Sequence, residues 1–225
     1  MDQNRKKQHN LIKYGALGVW ILLAVVILVN KNRITVDSII NFTPSNLVLA
    51  AFVMLLLFAL KTMSVFFFSG ILYTASGLMF DLPVAMLVNA LGLIVMLSEG
   101  YFMGKVFGSD LVGNIAEKHP KINSILHLED KRPFLFTLLL RMMKLLPFDP
   151  GSIYMGASNA KFAPYAAASF ISAIPDLILY AVVGGGISSL SPSMIIVAAV
   201  IYGCVTVGSV IIIAYLVKHP EKIGG

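Results

Sequence analysis

Residues 133–162 decide the fold, and they read PFLFTLLLRMMKLLPFDPGSIYMGASNAKF. Two apolar limbs, Pro133 to Leu146 and Ser152 to Phe162, flank a Pro-Phe-Asp-Pro-Gly break that stops a helix. Each limb has roughly a dozen residues and covers about 20 Å as a helix, whereas a hydrocarbon core is ~30 Å thick. Because neither limb can cross a bilayer alone, the stretch predicts a re-entrant hairpin, enclosed by protein or beside a water-filled cavity.

The whole chain has the composition of a membrane protein. Of its 225 residues, 58% are hydrophobic and 12% are charged, and the mean hydropathy is +0.86. Soluble domains carry about a quarter charged residues, so a soluble chain of this composition would expose large apolar patches. The net charge of +6 lies in the N-terminal segment and at the ends of apolar runs. This distribution indicates anionic lipid headgroups as partners and argues against nucleic acid.

The apolar runs divide the chain into three parts. Residues 1–46 contain a basic segment, a first transmembrane helix and an interfacial linker. Residues 47–190 form a core, and residues 191–225 form a C-terminal transmembrane helix and tail. Inside the core, residues 62–82 are uncharged up to Asp81 but contain two Ser-Gly breaks, and residues 109–132 are polar and predict a solvent-exposed loop.

Two ordered sets of motifs lie on either side of that polar loop. The first contains Ser69-Gly70, Ser76-Gly77, Asp81-Leu82-Pro83, Gly92, Gly100-Tyr101 and Gly104-Lys105. The second contains Leu139-Leu140-Arg141, Leu146-Pro147-Phe148-Asp149, Tyr154, Gly156-Ala157, Ser172-Ala173-Ile174-Pro175 and Gly184-Gly185-Gly186. Together they cover residues 69–186, and in this order they resemble the DedA superfamily, specifically its SNARE-associated (VTT) branch.

The resemblance implies a fold and a function. It implies two re-entrant hairpins, near 62–82 and 134–163, that enter from opposite sides and meet near mid-membrane, as in inverted-repeat transporters. The expected fold is therefore an all-α polytopic membrane protein of about five to six spanning helices with an inverted-repeat-like core. The resemblance also implies movement of phospholipid or undecaprenyl phosphate between leaflets.

Sequence alone leaves the side of the C-terminus open. The basic N-terminal segment favours a cytoplasmic N-terminus, and two facing hairpins then leave the C-terminus outside. The basic residues between Lys105 and Arg132 instead favour placing that loop and the tail inside, which would follow if residues 62–82 crossed fully. The expected location is the cell membrane, multi-pass, and in a bacterium the cytoplasmic membrane.

Candidate headgroup-binding residues cluster at the second hairpin. Arg141 is the first choice, because a guanidinium stays charged and binds phosphate through parallel hydrogen bonds. Its alternatives are a salt bridge to a buried acid or snorkelling to an interface. Lys144 follows on nearly the same helical face, and Pro147 and Asp149 form the tip. Asp149 could cap the next helix, pair with Arg141 or carry a proton.

Two further acids are candidates for coupling or for a buried ion network. Glu99 lies in an apolar helix, where an ionised carboxylate is costly, so it either relays protons or reaches water. Asp176 could complete an ion network with Arg141 or Lys144. Lys61 is expected to anchor the chain at an interface. The hairpin glycines are expected to permit close helix packing; they are Gly70, Gly77 and Gly156.

The sequence contains no catalytic constellation, no metal-ligand cluster and no cofactor motif, so it is not expected to encode an enzyme. The leading hypothesis is a scramblase- or flippase-like lipid translocator whose partners are lipids with anionic or phosphate headgroups. Homo-oligomerisation is left open. The alternatives are a membrane scaffold or assembly factor for the cell envelope, and a proton- or cation-coupled transporter of small solutes.

Overall fold

The computed structural model describes residues 34–62, 68–107, 131–142 and 146–185 as continuous segments, together with residues 18, 22, 25, 26, 29, 30, 129, 196, 200, 203, 204, 207, 208, 211 and 215. These residues contain no strand. They form seven helices: α1 (Val36–Phe42), α2 (Leu47–Thr62), α3 (Gly70–Met79), α4 (Leu82–Phe107), α5 (Pro133–Met142), α6 (Phe148–Ala157) and α7 (Phe162–Gly184). The isolated residues in the expected first and last spans are helical as well.

Local sequence explains where the helices begin. Pro83 lies in the first turn of α4, where its missing amide donor costs nothing. In the second hairpin, α6 begins at Phe148 and not at Ser152 as expected. Asp149, Pro150 and Gly151 form its first turn, because the first amides of a helix have no intrahelical acceptor and a proline is tolerated there. The helix break predicted over residues 147–151 therefore ends at Pro147.

A left-handed residue ends α6. Asn159 has φ +57°, a conformation that asparagine tolerates better than most residues. Its amide donates to the Gly156 carbonyl at 3.2 Å, and the Ala160 amide donates to the Met155 carbonyl at 3.1 Å. These are the two hydrogen bonds of a Schellman motif, so the chain turns sharply and α7 begins almost at once.

Two copies of one arrangement make up the described core. The first copy is α2 followed by the short α3 and the long α4, and the second is α5 followed by the short α6 and the long α7. Each first helix packs against the long helix of its own copy. The short helices exchange partners: α3 packs chiefly against α7, and α6 chiefly against α4. The two halves are therefore joined reciprocally.

Glycines make the exchanged contacts close. A Cβ on Gly77 would overlap the Ala181 carbonyl of α7, and a Cβ on Gly156 would overlap the Tyr101 carbonyl of α4. The long helices contribute glycines of their own at these two crossings, Gly104 in α4 and Gly184 in α7. Gly77 and Gly156 thus have the packing role expected of them. Gly70 differs, because a Cβ there would meet only the side-chain ring of Phe68.

The two tight turns of the core lie at opposite ends of α4. The turn between α3 and α4 immediately precedes Leu82. The turn between α6 and α7 is tied to the far part of the same helix, where the Tyr101 hydroxyl donates to the Ala160 carbonyl at 2.6 Å. From Leu82 to Tyr101, α4 rises about 28 Å at 1.5 Å per residue. The beginning of α7 therefore lies beside the later half of α4.

Two of the helices are long and apolar enough to cross a membrane, Leu82–Phe107 and Phe162–Gly184. Only 39% and 33% of their most apolar windows are buried inside the protein, whereas the core helix of a soluble protein would be mostly covered. Large apolar side chains are also exposed on the other helices, including Val48 at 78% and Phe42 at 73%. The outer surface is therefore apolar over wide areas.

A candidate anion site between the two halves

A buried ion pair joins the two halves. Lys61 is the penultimate residue of α2, and its Nζ lies 2.5 Å from Oδ2 of Asp149 in the first turn of α6. The two side chains are only 3% and 7% exposed. The expectation that Lys61 anchors the chain at an interface is wrong, since its ammonium is enclosed by protein. Such a pair is costly to desolvate, and removing one partner leaves an uncompensated charge.

Arg141 lies in the same region but is held by neutral groups. Its Nε donates to Ser169 Oγ at 3.1 Å, its Nη1 to the Phe148 carbonyl at 2.6 Å and its Nη2 to Ser152 Oγ at 2.8 Å. The guanidinium also lies 4.3 Å from the centre of the Phe148 ring, within cation–π range. Within the described ranges, no carboxylate forms an ion pair with Arg141. A side-chain hydrogen bond with Tyr165, which is also neutral, adds to these contacts.

The hairpin tip is organised by Pro147 and Asp149. Pro147 is exposed and precedes α6, and its carbonyl accepts the Gly151 amide at 3.0 Å. Asp149 does not act as the helix cap, and its carboxylate pairs with Lys61 and not with Arg141. It does interact electrostatically with the Arg141 guanidinium. One carboxylate thus lies within range of two buried cations.

The other candidate residues lie at the edge of this cluster or outside the described residues. Glu99 of α4 is half-buried beside Thr62, and its Oε2 is enclosed with no hydrogen-bond partner in the described segments. Asp176 of α7 lies near the buried Tyr73 of α3, and no ion pair with Arg141 forms. Lys144 lies outside the described residues, so its proposed part in an ion network cannot be placed.

Among the ionisable side chains that the structure describes as buried, the charges do not balance. Lys61 and Arg141 carry two positive charges, and Asp149, which lies between them, carries one negative charge. Glu99 and Asp176 are more exposed than these three residues and form no ion pair with either cation. An excess of positive charge in a poorly hydrated interior attracts an anion. The residues at hand could bind a phosphate or carboxylate group.

An apolar groove of about 430 Å³ lies between α4 and α7. Its walls come from α4 and α7 and include Ile94, Leu97, Ser98, Phe162, Ala166 and Phe170. Tyr165 lies on the adjoining face of α7, donates its hydroxyl to the Leu97 carbonyl at 3.1 Å, and has its ring 5.8 Å from the Arg141 guanidinium carbon.

Sequence reasoning identified Arg141 and Asp149 but missed Lys61, Ser152 and Ser169. Lys61 carries the only charge between residues 47 and 80, a signal that could have marked it as buried. The two serines gave no signal, because a serine in an apolar helix more often bonds its own backbone. Among the described residues, no three His, Cys, Asp or Glu side chains are placed to hold a metal ion.

Comparison with known proteins gives one result. No curated protein and no solved structure matches the chain at a significant level. A family model, that of the VTT domain, matches residues 65–186, which is more than half of the chain. This segment contains the five helices α3 to α7 with Arg141 and Asp149, and Lys61 lies just before it. The chain therefore belongs to the VTT-domain family, the membrane-associated DedA/SNARE-associated proteins.

Proposed function

We propose that this protein is an integral membrane lipid translocator, of scramblase or flippase type, which moves a phosphate-bearing lipid between leaflets. One observation carries the proposal: Arg141 is 8% exposed, held by neutral partners, and forms no ion pair with a carboxylate among the described residues. A buried cation that has no counter-ion lowers the stability of the fold, and binding of an anionic ligand offsets that cost.

In this proposal α4 and α7 cross the membrane, and the two hairpins enter it from opposite sides. Helices α5 and α6 have ten residues each, so each is about 15 Å long and cannot cross a core of ~30 Å. Arg141 bonds Ser169, the eighth residue of α7, which is roughly 11 Å along that helix. This depth supports a headgroup site well inside the cell membrane.

The ligand chemistry follows from the contacts of Arg141. Serine hydroxyls and a backbone carbonyl fix the guanidinium in place without neutralising it, and the planar fork of a guanidinium suits phosphate oxygens. A phosphate that leaves water for hydrocarbon is prohibitively unstable unless charged or polar groups replace its hydration. The apolar groove between α4 and α7 could hold an acyl or isoprenoid chain while the headgroup lies at Arg141.

The test is a leaflet-exchange assay with purified protein in liposomes that contain fluorescent phospholipid or undecaprenyl phosphate. Wild type is compared with Arg141→Ala, and with Lys161→Ala as a matched control, since Lys161 is an exposed cation of the same core. We expect fast exchange by wild type and by the control. We expect at least a tenfold loss for Arg141→Ala, since one charge-assisted hydrogen bond contributes about 1.5–3 kcal/mol.

The result is interpreted only for variants whose folding is verified by gel filtration and circular dichroism. No exchange above empty liposomes by folded wild type, with either lipid, would overturn the translocator proposal. Exchange that is equal in wild type and folded Arg141→Ala would remove Arg141 from the site. Unfolding of Arg141→Ala alone would favour the scaffold hypothesis, and proton flux that depends on a solute would favour a small-solute transporter.

A further inference from the structure

The two buried cations occupy equivalent positions in the two halves. Lys61 is the penultimate residue of α2, and Arg141 is the penultimate residue of α5. Both helices pack against the long helix of their own half, α2 against α4 and α5 against α7. Each cation is then followed by a short helix that crosses the opposite long helix. The reciprocal packing therefore gives each hairpin one cation at its tip.

One partner of Arg141 also has a counterpart by position in the first half. Ser169, which accepts from Arg141, is the eighth residue of α7, and Asn89 is the eighth residue of α4. Asn89 is fully buried and donates to the Tyr73 carbonyl at 3.3 Å. Its Oδ1 is enclosed, yet it accepts no hydrogen bond from any described residue. A buried acceptor that is left unused is uncommon in proteins and costs stability.

The carboxylate, in contrast, has no counterpart. Asp149 lies seven residues before Gly156, and the residue seven before Gly77 is Gly70. One acid therefore lies between two equivalent cations. In this structure it crosses between the halves to pair with Lys61, and it leaves Arg141 with neutral partners. The two halves therefore differ in one respect: the carboxylate of Asp149 pairs with the cation of the first half and not with that of the second.

From this asymmetry we infer that Lys61 is the centre of a second phosphate-binding station, masked in this structure by the Asp149 carboxylate. Arg141 with Ser152 and Ser169 is the open station. A phosphate that replaces Asp149 at Lys61 leaves the carboxylate free to turn to Arg141, so that one station opens as the other closes. The inference deepens the proposed function, on which the identification of the phosphate as a lipid headgroup rests.

The stations can be counted by native mass spectrometry of the purified full-length protein with short-chain phosphatidic acid. Diacylglycerol of the same chain length is the control that lacks the phosphate. We expect wild type to bind one phosphatidic acid with headgroup dependence, and Asp149→Asn to bind a second. The double variant Asp149→Asn/Lys61→Met should lose that second molecule. A second molecule that persists in the double variant would overturn the inference.

A second variant moves the carboxylate to the other half. It controls for the possibility that Asp149→Asn changes binding only because it leaves Lys61 as an unpaired buried charge. Gly70→Asp/Asp149→Asn moves the acid to the equivalent position of the other half, where the three atoms nearest to an added Cβ all belong to the flexible side chain of Phe68. The acid should now mask Arg141 and expose Lys61. We expect one bound phosphatidic acid that is lost on adding Lys61→Met and kept on adding Arg141→Met. The opposite dependence would overturn the inference.

Free phosphate and a lipid headgroup share the same chemistry, so inorganic phosphate is added as a competitor in a second arm. If phosphatidic acid stays bound in excess inorganic phosphate, the stations bind a lipid headgroup. If inorganic phosphate displaces it at equal concentration, the stations bind the free anion, and the inference that they bind a lipid is overturned. Binding is measured without movement. If the protein binds at both stations but does not move lipid between leaflets, only the translocator proposal is overturned. If it moves lipid but has no second station, only this inference is overturned.

Discussion

Two buried cations of this protein are stabilised in different ways. Lys61 has a full counter-charge at 2.5 Å, whereas Arg141 has hydroxyls, a carbonyl and aromatic rings. A compact ammonium is strongly hydrated and needs a carboxylate when it is enclosed, but a guanidinium is more weakly hydrated and disperses its charge over several contacts. The residue types therefore match the environments: the lysine is at the closed position and the arginine is at the position that we assign to a ligand.

Breaking the Lys61–Asp149 pair should destabilise the fold more than removing it altogether. We expect Lys61→Met to lower the free energy of unfolding by about 3–5 kcal/mol, because Asp149 loses its paired cation and can pair with Arg141 only by disrupting the contacts that now hold the guanidinium. The double variant Lys61→Met/Asp149→Leu should recover most of that loss. Denaturant unfolding in detergent micelles, followed by near-ultraviolet circular dichroism, measures both. Equal losses in the single and double variants would show that the ion pair itself stabilises the fold.

At the scale of helices, the short segments α3 and α6 depend on the opposite half for burial. Each has ten residues, and isolated helices shorter than ~12–15 residues are marginal in water. Their glycines let the backbone of each short helix approach the backbone of the long helix that it crosses. Close contacts of this kind are stabilised by dispersion forces and by weak Cα–H hydrogen bonds. The hairpins are thus held by close crossings and not by their own helix propensity.

A single methyl group at such a helix crossing should push the two helices apart and destabilise the fold. We expect Gly156→Ala to cost about 1–3 kcal/mol or more, since its Cβ would overlap the Tyr101 carbonyl and a backbone cannot rotate away. Gly208→Ala is the matched control, because no atom lies within 4 Å of a Cβ at that position, and it should be neutral or stabilising by up to ~1 kcal/mol. Thermal unfolding in detergent compares the two, and a stable Gly156→Ala would contradict the close crossing.

At the scale of the whole molecule, the two turns at opposite ends of α4 should lie on opposite faces of the membrane. The sole cysteine, Cys204, is replaced by serine, and single cysteines are then placed at the exposed Asp81 and Lys161. We expect a membrane-impermeant maleimide to label one position in sealed, oriented vesicles and the other only after permeabilisation. Labelling of both from the same side would contradict a crossing by α4.

How much of this could be predicted from sequence depends on the range of the interactions. Helix breaks at Pro147 and before Pro83 act within a few residues, so sequence located them to within a turn. The composition and the motif order gave the helical class and the family. The Lys61–Asp149 pair could not be predicted, because its partners are 88 residues apart and only the exchange of short helices between halves brings them together.

That separation of 88 residues also sets an order of events during synthesis. At about 5–20 residues per second, a ribosome needs roughly 4–18 s to reach Asp149 after Lys61 has been made. For all of that time the first hairpin carries an unneutralised ammonium, and the glycine face of α3 has no α7 to cover it. In the proposed membrane setting, an unpaired ammonium makes insertion of the first half less favourable. We therefore expect the two halves to insert together, after Asp149 has been made.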